Sequence, residues 1–322
     1  MKVETVTIIG LQKIGTSAGL AIKQKASGLT IIGHDRTREV MQKAKTMGAV
    51  DQIENNLISA VRKADILILT ETLPLATDTW RAIGLDIPEH TVVLDFGPLK
   101  KPIQKAADKY AKGKHYVGVM PIISADHVSN GSDLTADAAA DLFQDSTFCL
   151  MPSPTVDSDA VDTAQTIGKL LGATPFYIDV EEYDIYIQAV ETLPALISAA
   201  YFRALTNQSG WRDIKRVAGA PFAAVTEQLT REAEISHLTF SNKQASLHWI
   251  DTMIGGLEEM KQWIANGDKE TLGALATELN IQRDEWLHER KQNNWTEGAA
   301  PEVKRRGLGE QLLGGWINRS ND

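Results

Sequence analysis

The chain has 322 residues, 43% of them apolar and 23% charged, a composition suited to a folded globular protein with room for two domains. A net charge of −9 and a pI near 5.4 repel phosphate backbones and anionic lipid, which argues against nucleic acid and membrane surfaces as partners. The one cysteine, Cys149, rules out an intrachain disulfide and a clustered-cysteine metal site.

The opening residues, Met1 to Gly10, alternate polar and apolar side chains, and Glu4 interrupts any signal-peptide core. No uninterrupted apolar run approaches the ~18 residues of a membrane span, so a cytoplasmic location is expected. Short β-branched apolar runs then follow at Val6 to Ile9, Leu29 to Ile32, Ile66 to Leu69, Val92 to Leu94, Tyr116 to Val119, Phe148 to Leu150 and Phe176 to Ile178. Segments of helical length separate most of them, including Ile14 to Lys25, Arg38 to Met47 and Pro102 to Ala111. Such alternation predicts an α/β domain of Rossmann type with a mostly parallel sheet, over residues 1–180.

Near Val180 the pattern changes. Val190, Leu193, Ile197, Ala200 and Tyr201 recur at helical spacing, as do Leu247, Ile250, Met253, Ile254, Leu257 and Ile264, and then Leu272, Leu275, Leu279 and Trp286. Residues 181–322 therefore read as an all-α domain. Its apolar stripes need cover, which makes a homodimer interface the expected outcome. Pro194 falls inside the first of these helices, where it removes a backbone hydrogen bond. The apolar patch Leu312 to Ile317 in the tail is expected to dock on the body.

The best functional motif directly follows the first strand: Gly10-Leu11-Gln12-Lys13-Ile14-Gly15. In the dinucleotide fingerprint the first glycine permits the tight turn and the second lets the backbone approach the pyrophosphate. The third lets helix and strand pack closely. Gly10 and Gly15 fill the first and third places, and Gln12 stands at the second. Gln12 is expected to crowd the pyrophosphate and weaken binding, unless it swings aside or donates its amide to a phosphate oxygen. Asp35 ends the second strand, where an acidic group accepts from the adenosine ribose hydroxyls and disfavours a 2′-phosphate. Arg36 and Arg38 follow, and either could hold a 2′-phosphate. NAD is expected over NADP.

Two further sets of residues carry a family resemblance. One is Val93-Leu94-Asp95-Phe96-Gly97-Pro98-Leu99-Lys100 with Tyr116-Val117-Gly118-Val119-Met120-Pro121. The other is Glu182-Tyr183-Asp184, Leu193-Pro194 and Trp211 to Ala218. In order and spacing, from residue 5 to about residue 230, the chain resembles the prephenate and arogenate dehydrogenase family. The resemblance implies an NAD(P)-dependent oxidation in which the substrate loses carbon dioxide and becomes aromatic. It places Arg216 on the family's carboxylate-binding arginine, a guanidinium fork suited to a carboxylate. Elsewhere the chain departs from the pattern. Met120 stands at the catalytic histidine, Pro98 at the serine, Tyr183 at the histidine before the helix aspartate, and Thr192 and Ala195 at the histidines flanking Leu193-Pro194. Glu191 adds negative charge beside them. Methionine cannot hold a proton at neutral pH, so the family's usual general base is missing.

Other candidates are weighed against plainer readings. The histidines His34, His90, His115, His127, His237, His248 and His288 include no metal-type pair at helical spacing, and no metal is expected. His127 could replace the missing base, and an exposed loop position is the plainer expectation. Lys100 could act as an acid beside a nicotinamide; for Lys100 and Lys101 the plainer expectation is a surface position opening the Pro102 helix. Cys149 reads as a buried packing residue. Arg216 could instead pair with Asp213 or Asp184.

Three functions stay open. The first is an NAD(P)-dependent oxidoreductase of the prephenate dehydrogenase type, altered in substrate or mechanism. Its dinucleotide site would be Gly10, Gln12, Lys13, Ile14, Gly15, Asp35 and Arg36, and Arg216, Thr192, Met120 and Tyr183 would meet a small carboxylate-bearing molecule. The second is a non-catalytic dimeric homologue with a binding or regulatory role. The third is a reductase of β-hydroxyacids or imines, which the Trp211 to Ala218 stretch argues against.

Overall fold

The computed structural model describes residues 3–295 apart from 112–113 and 129–132, and for residues 230–234 it describes the backbone alone. The expected docking of Leu312 to Ile317 lies outside the described residues. Eight strands form one sheet: β1 (Thr5–Ile9), β2 (Thr30–His34), β3 (Gln52–Ile53), β4 (Ile66–Leu69), β5 (Val92–Asp95), β6 (His115–Pro121), β7 (Thr147–Pro152) and β8 (Thr174–Tyr177). Their order is β3-β2-β1-β4-β5-β6-β7-β8. Every pairing is parallel except β6 with β7, where Met120 sits opposite Cys149.

Alternate residues of the central strands enter opposite cores, as the period of two requires. Val6, Ile8, Ile66, Ile68, Val92 and Leu94 pack on one face against α1 (Lys13–Lys25) and α6 (Ser158–Leu171). Ile9, Leu67, Leu69 and Val93 pack on the other face against α3 (Leu57–Val61), α4 (Leu73–Ile83) and α5 (Lys101–Tyr110). Two buried faces explain why the strands read as unbroken apolar runs. α2 (Arg38–Thr46) follows β2, and its Met41 and Ala44 join the first core. The strand β3 has two residues, too short for any periodicity to announce it.

From Val180 onward the elements are helical. They are α7 (Val180–Ile187), a π turn (Gln188–Thr192), α8 (Leu193–Thr206), α9 (Trp211–Val217), α10 (Ala220–Thr226), α11 (Glu232–Ser241), α12 (Lys243–Asn266) and α13 (Lys269–Gln292). The π turn accommodates Pro194. It ends with Leu193 N–H donating to Gln188 O, and Pro194 then falls in the first turn of α8, where its missing N–H costs little. By length and composition, the run Val180–Thr206 could cross a membrane. Here its polar side chains Asp184, Gln188 and Thr192 are buried within the protein, and Gln188 Nε2 donates to Leu238 O at 3.0 Å.

Two sets of polar contacts tie the helices to the sheet. At the start, the Asp184 carboxylate accepts from Lys100 N at 2.8 Å and Lys101 N at 2.9 Å, capping α5, whose own N-cap residue supplies no side-chain bond. Burial pushes the Asp184 carboxyl above its usual range, while those two N–H bonds and Lys100 pull it back. At the end, Arg290 donates to Ile123 O at 2.6 Å, and Asn293 Nδ2 donates to Ser146 O at 2.9 Å and Thr174 Oγ1 at 3.0 Å.

Replacing Asp184 with alanine leaves two backbone N–H groups unsatisfied where α5 begins, at roughly 1–3 kcal/mol each. Urea denaturation of Asp184→Ala is expected to show a loss of about 3 kcal/mol, with Asp184→Asn losing less because its amide oxygen still accepts one bond. Equal stability of Asp184→Ala and the parent would remove this contact from the account of the fold.

Candidate dinucleotide and substrate cleft

The strand order reverses between β1 and β4, and in open α/β sheets the crevice beyond the strand ends at such a switch point takes the ligand. Gly10 leaves β1 with φ +90°, a conformation that penalises side chains. A Cβ there would stand 2.6 Å from Thr70 Oγ1, whose hydroxyl donates to Gly10 O at 2.7 Å. A Cβ on Gly15 would stand 2.0 Å from Gly10 O, so helix and turn approach as closely as the fingerprint requires. Gln12 is exposed and makes no capping bond.

Asp35 is held from both sides, accepting from Leu11 N at 2.8 Å on one carboxylate oxygen and from Thr37 N at 2.9 Å on the other. A carboxylate has about four acceptor sites, so capacity remains for ribose hydroxyls. Lys13 and Ile14 open α1 beside this turn. Lys13 is buried and its N–H donates to Asp133 O at 3.3 Å, and Ile14 packs against the sheet core. Thr135 Oγ1 donates to Leu11 O at 2.9 Å, so residues 133–135 lie along the glycine turn. Arg36 turns across to α4, donating to Thr79 Oγ1 at 3.3 Å with Nε 3.5 Å from Glu71 Oε1. The turn, the close helix approach and Asp35 fit a dinucleotide: Gly10 and Gly15 at the pyrophosphate, Asp35 at the ribose.

Comparison with known proteins agrees. Residues 18–176 match the family model described as "Prephenate dehydrogenase, nucleotide-binding domain". Prephenate dehydrogenase of Bacillus subtilis is 24% identical over 84% of this chain and 72% of its own length. Cyclohexadienyl dehydrogenase of Zymomonas mobilis is 23% identical over 83% of this chain and 90% of its own. Among solved structures, prephenate dehydrogenase from Aquifex aeolicus with hydroxyphenyl propionate and NAD+ superposes with a TM-score of 0.78, at 20% identity over 88% of this chain and 99% of that one. The nucleotide-binding half of the chain belongs to the prephenate dehydrogenase family, and the chain as a whole is similar to its members. Its curated relatives are dehydrogenases.

Of the residues that the resemblance places at the substrate, Met120 and Tyr183 meet in one apolar cluster. Met120 is half-buried and packs against the group that holds Tyr183, Cys149, Met151 and Ile187. Thr192 and Ala195 are buried along the same helical run. Tyr183 is buried with its hydroxyl unpartnered, and burial holds that hydroxyl well above its ordinary range. Arg216 stays apart from this cluster in the single chain. It is exposed on α9, with Asp213 Oδ1 3.5 Å away, so of the two ion-pair partners expected the structure selects Asp213.

Lys100 corrects one expectation. It is fully buried, not on the surface, and its Nζ donates to Asp95 O at 2.8 Å and to Gly97 O. Burial pushes its ammonium down, opposed by Asp95 and Asp184, and with its protons directed at carbonyls it braces the β5 turn. Lys101 keeps the expected exposed place and pairs with Glu181. His127 is half-buried on the 125–127 turn, with Nε2 3.0 Å from Asp141 Oδ1. Sequence reasoning passed over Glu71 and Arg290, and met Asp184 only within a motif and as a possible partner of Arg216, not as the cap of α5. Glu71 could have been found, because it follows the β4 run by two residues at the strand end that faces the crevice.

Burial pushes the Cys149 thiol up to about 11. At pH 8 it is then almost wholly neutral and poorly nucleophilic. Ellman's reagent is expected to find no thiol in the folded protein and one after denaturation; rapid reaction of the folded protein would contradict this packing. A Gly15→Val variant drives carbon into Gly10 O and is expected to unfold at a markedly lower temperature than the parent in differential scanning fluorimetry.

Proposed function

We propose that this chain is an NAD-preferring oxidoreductase of the prephenate dehydrogenase type, acting in the cytoplasm as a homodimer on a small carboxylate-bearing molecule by a route that does not use the family's histidine base. The observation that carries this reading is the glycine turn. Gly10 and Gly15 keep the close approach, Gln12 is exposed and uncommitted to any capping bond, and Asp35 is fixed beside the turn. When bound, the nicotinamide supplies the hydride acceptor. The chain's own residues would seat the pyrophosphate on the N-terminus of α1, accept from the ribose at Asp35 and enclose an apolar substrate body between Met120, Tyr183 and Thr192. Arg216 suits a carboxylate, because its guanidinium is exposed and its contact with Asp213 is long.

The dimer is supported by uncovered apolar surface on the helices. Val217, Phe240 and Ile264 are 85%, 74% and 68% exposed, and Leu257, Leu279 and Trp286 add to the same helical half. Exposed apolar surface on this scale calls for a partner, and closed two-fold dimers are the commonest solution. Sedimentation velocity at micromolar concentration is expected to give a species of twice 35.3 kDa; a monomer would remove the dimer from the proposal.

One set of observations favours a second reading, a non-catalytic dimeric homologue. The ionisable groups around Met120 are poorly suited to proton transfer at neutral pH: Lys100 is committed to carbonyls, and burial raises the Cys149 thiol and the Tyr183 hydroxyl. Titration calorimetry with NADH, followed by a screen of prephenate, arogenate and related acids for NAD reduction, separates the two. Micromolar NADH binding with turnover supports the oxidoreductase. Binding without turnover on any acid supports the second reading. If turnover is found, Arg216→Met is expected to raise KM for the acid at least tenfold while leaving the NADH affinity unchanged.

A further inference from the structure

Glu71 is the least explained ionisable group at the crevice. It follows β4 by two residues, its side chain is 8% exposed, and its Oε2 is buried with no hydrogen-bond partner. Such a carboxylate is costly to bury, so the fold gains something by keeping it. Its neighbours are the residues of the adenosine end: Asp35 at the close of β2, Arg36 3.5 Å from its Oε1, and Thr79 on α4. Arg36 also donates to Thr79 Oγ1 at 3.3 Å. The guanidinium is thus engaged on two sides within the protein, by Thr79 on α4 and by Glu71 just before it, so that less of it is left to meet a ribose 2′-substituent.

We propose that Glu71 is a specificity-determining residue for the dinucleotide, which withdraws Arg36 from phosphate capture and sets a second carboxylate beside Asp35, so that the site takes an adenosine with free ribose hydroxyls and rejects one bearing a 2′-phosphate. The proposal rests on the dinucleotide reading above and deepens it. Electrostatics give it force. An arginine after the ribose-binding acid would ordinarily attract a 2′-phosphate, but here its charge is met by Glu71 from within the protein, where screening is weak. The plane of the guanidinium stays half-exposed and free to stack on an adenine ring. Burial raises the Glu71 carboxyl, while Thr79 and Arg36 draw it down.

The test is titration calorimetry of the full chain with NADH and NADPH, and with the fragments 5′-AMP and 2′,5′-ADP, on the parent, Glu71→Gln and Arg36→Leu. The parent is expected to bind NADH at least tenfold more tightly than NADPH, and 5′-AMP more tightly than 2′,5′-ADP. Glu71→Gln frees Arg36 and removes the second carboxylate, so the NADH-to-NADPH preference is expected to fall at least fivefold. Arg36→Leu, at an exposed side chain that folding tolerates, is expected to leave that preference within twofold, since Arg36 is not a phosphate ligand in the parent. An unchanged preference in Glu71→Gln, or a tenfold selective loss of NADPH binding in Arg36→Leu, overturns the proposal. A parent that binds neither dinucleotide overturns the dinucleotide reading itself, and the proposal with it. A parent that binds NADPH more tightly overturns the proposal and leaves that reading standing.

Discussion

The arrangement depends on one charged contact, the Asp184 carboxylate at the first turn of α5. It satisfies two backbone N–H groups that no side chain of their own segment reaches, and it carries the start of the helical half onto the sheet. Lys100 works from the same residue in the opposite direction. Its N–H goes to Asp184, while its ammonium threads to the carbonyls of Asp95 and Gly97, and Tyr116 Oη closes the set at 3.2 Å from Asp95 Oδ2. A buried lysine is tolerated because two carboxylates and two carbonyls surround it. The shape of the β5 turn, which borders the cleft, is therefore fixed by the same ions that join the two halves.

In the reading proposed here, the parts that would hold a cofactor are kept and the parts that would move a proton are exchanged. Glycines at the turn cannot be replaced, because a Cβ at either place would collide with backbone or with Thr70. Where the resemblance would place histidines, Met120, Tyr183, Thr192 and Ala195 carry no such backbone restriction, and each joins an apolar cluster or a buried helix face. Scaffold and chemistry thus answer to different constraints, and one can change without the other.

Much of the sheet was legible because doubly buried strands must be apolar throughout, and Ile66 to Leu69 and Val92 to Leu94 announce themselves. The glycine turn and Asp35 were legible for a related reason, since backbone geometry restricts which residues can stand there. Lys100 was misread as a surface residue because a lysine before Pro102 looks like an ordinary helix start, and its burial depends on Asp184, more than eighty positions away. Arg290 and Asn293 were invisible for the same reason: their partners, Ile123, Ser146 and Thr174, lie in a distant segment. What the sequence hides is mostly polar and long-range, because hydrophobic periodicity carries no record of it. Pro194 looked like a helix fault, yet a single wide turn placed before it removes the conflict.

The contacts at the two ends of the helical half also have a mechanical meaning. Asp184 pins its first helix to the α5 terminus, and Arg290 and Asn293 pin its last helix to the far part of the sheet near β7 and β8. Between these ends the two halves also share an apolar contact, for Tyr183, Ile187 and Leu238 belong to the core that holds Leu67, Leu69 and Trp80. The helical half is therefore fastened along its length and not at its ends alone, and any movement of one half over the other must open close-packed apolar surface as well as break the polar contacts.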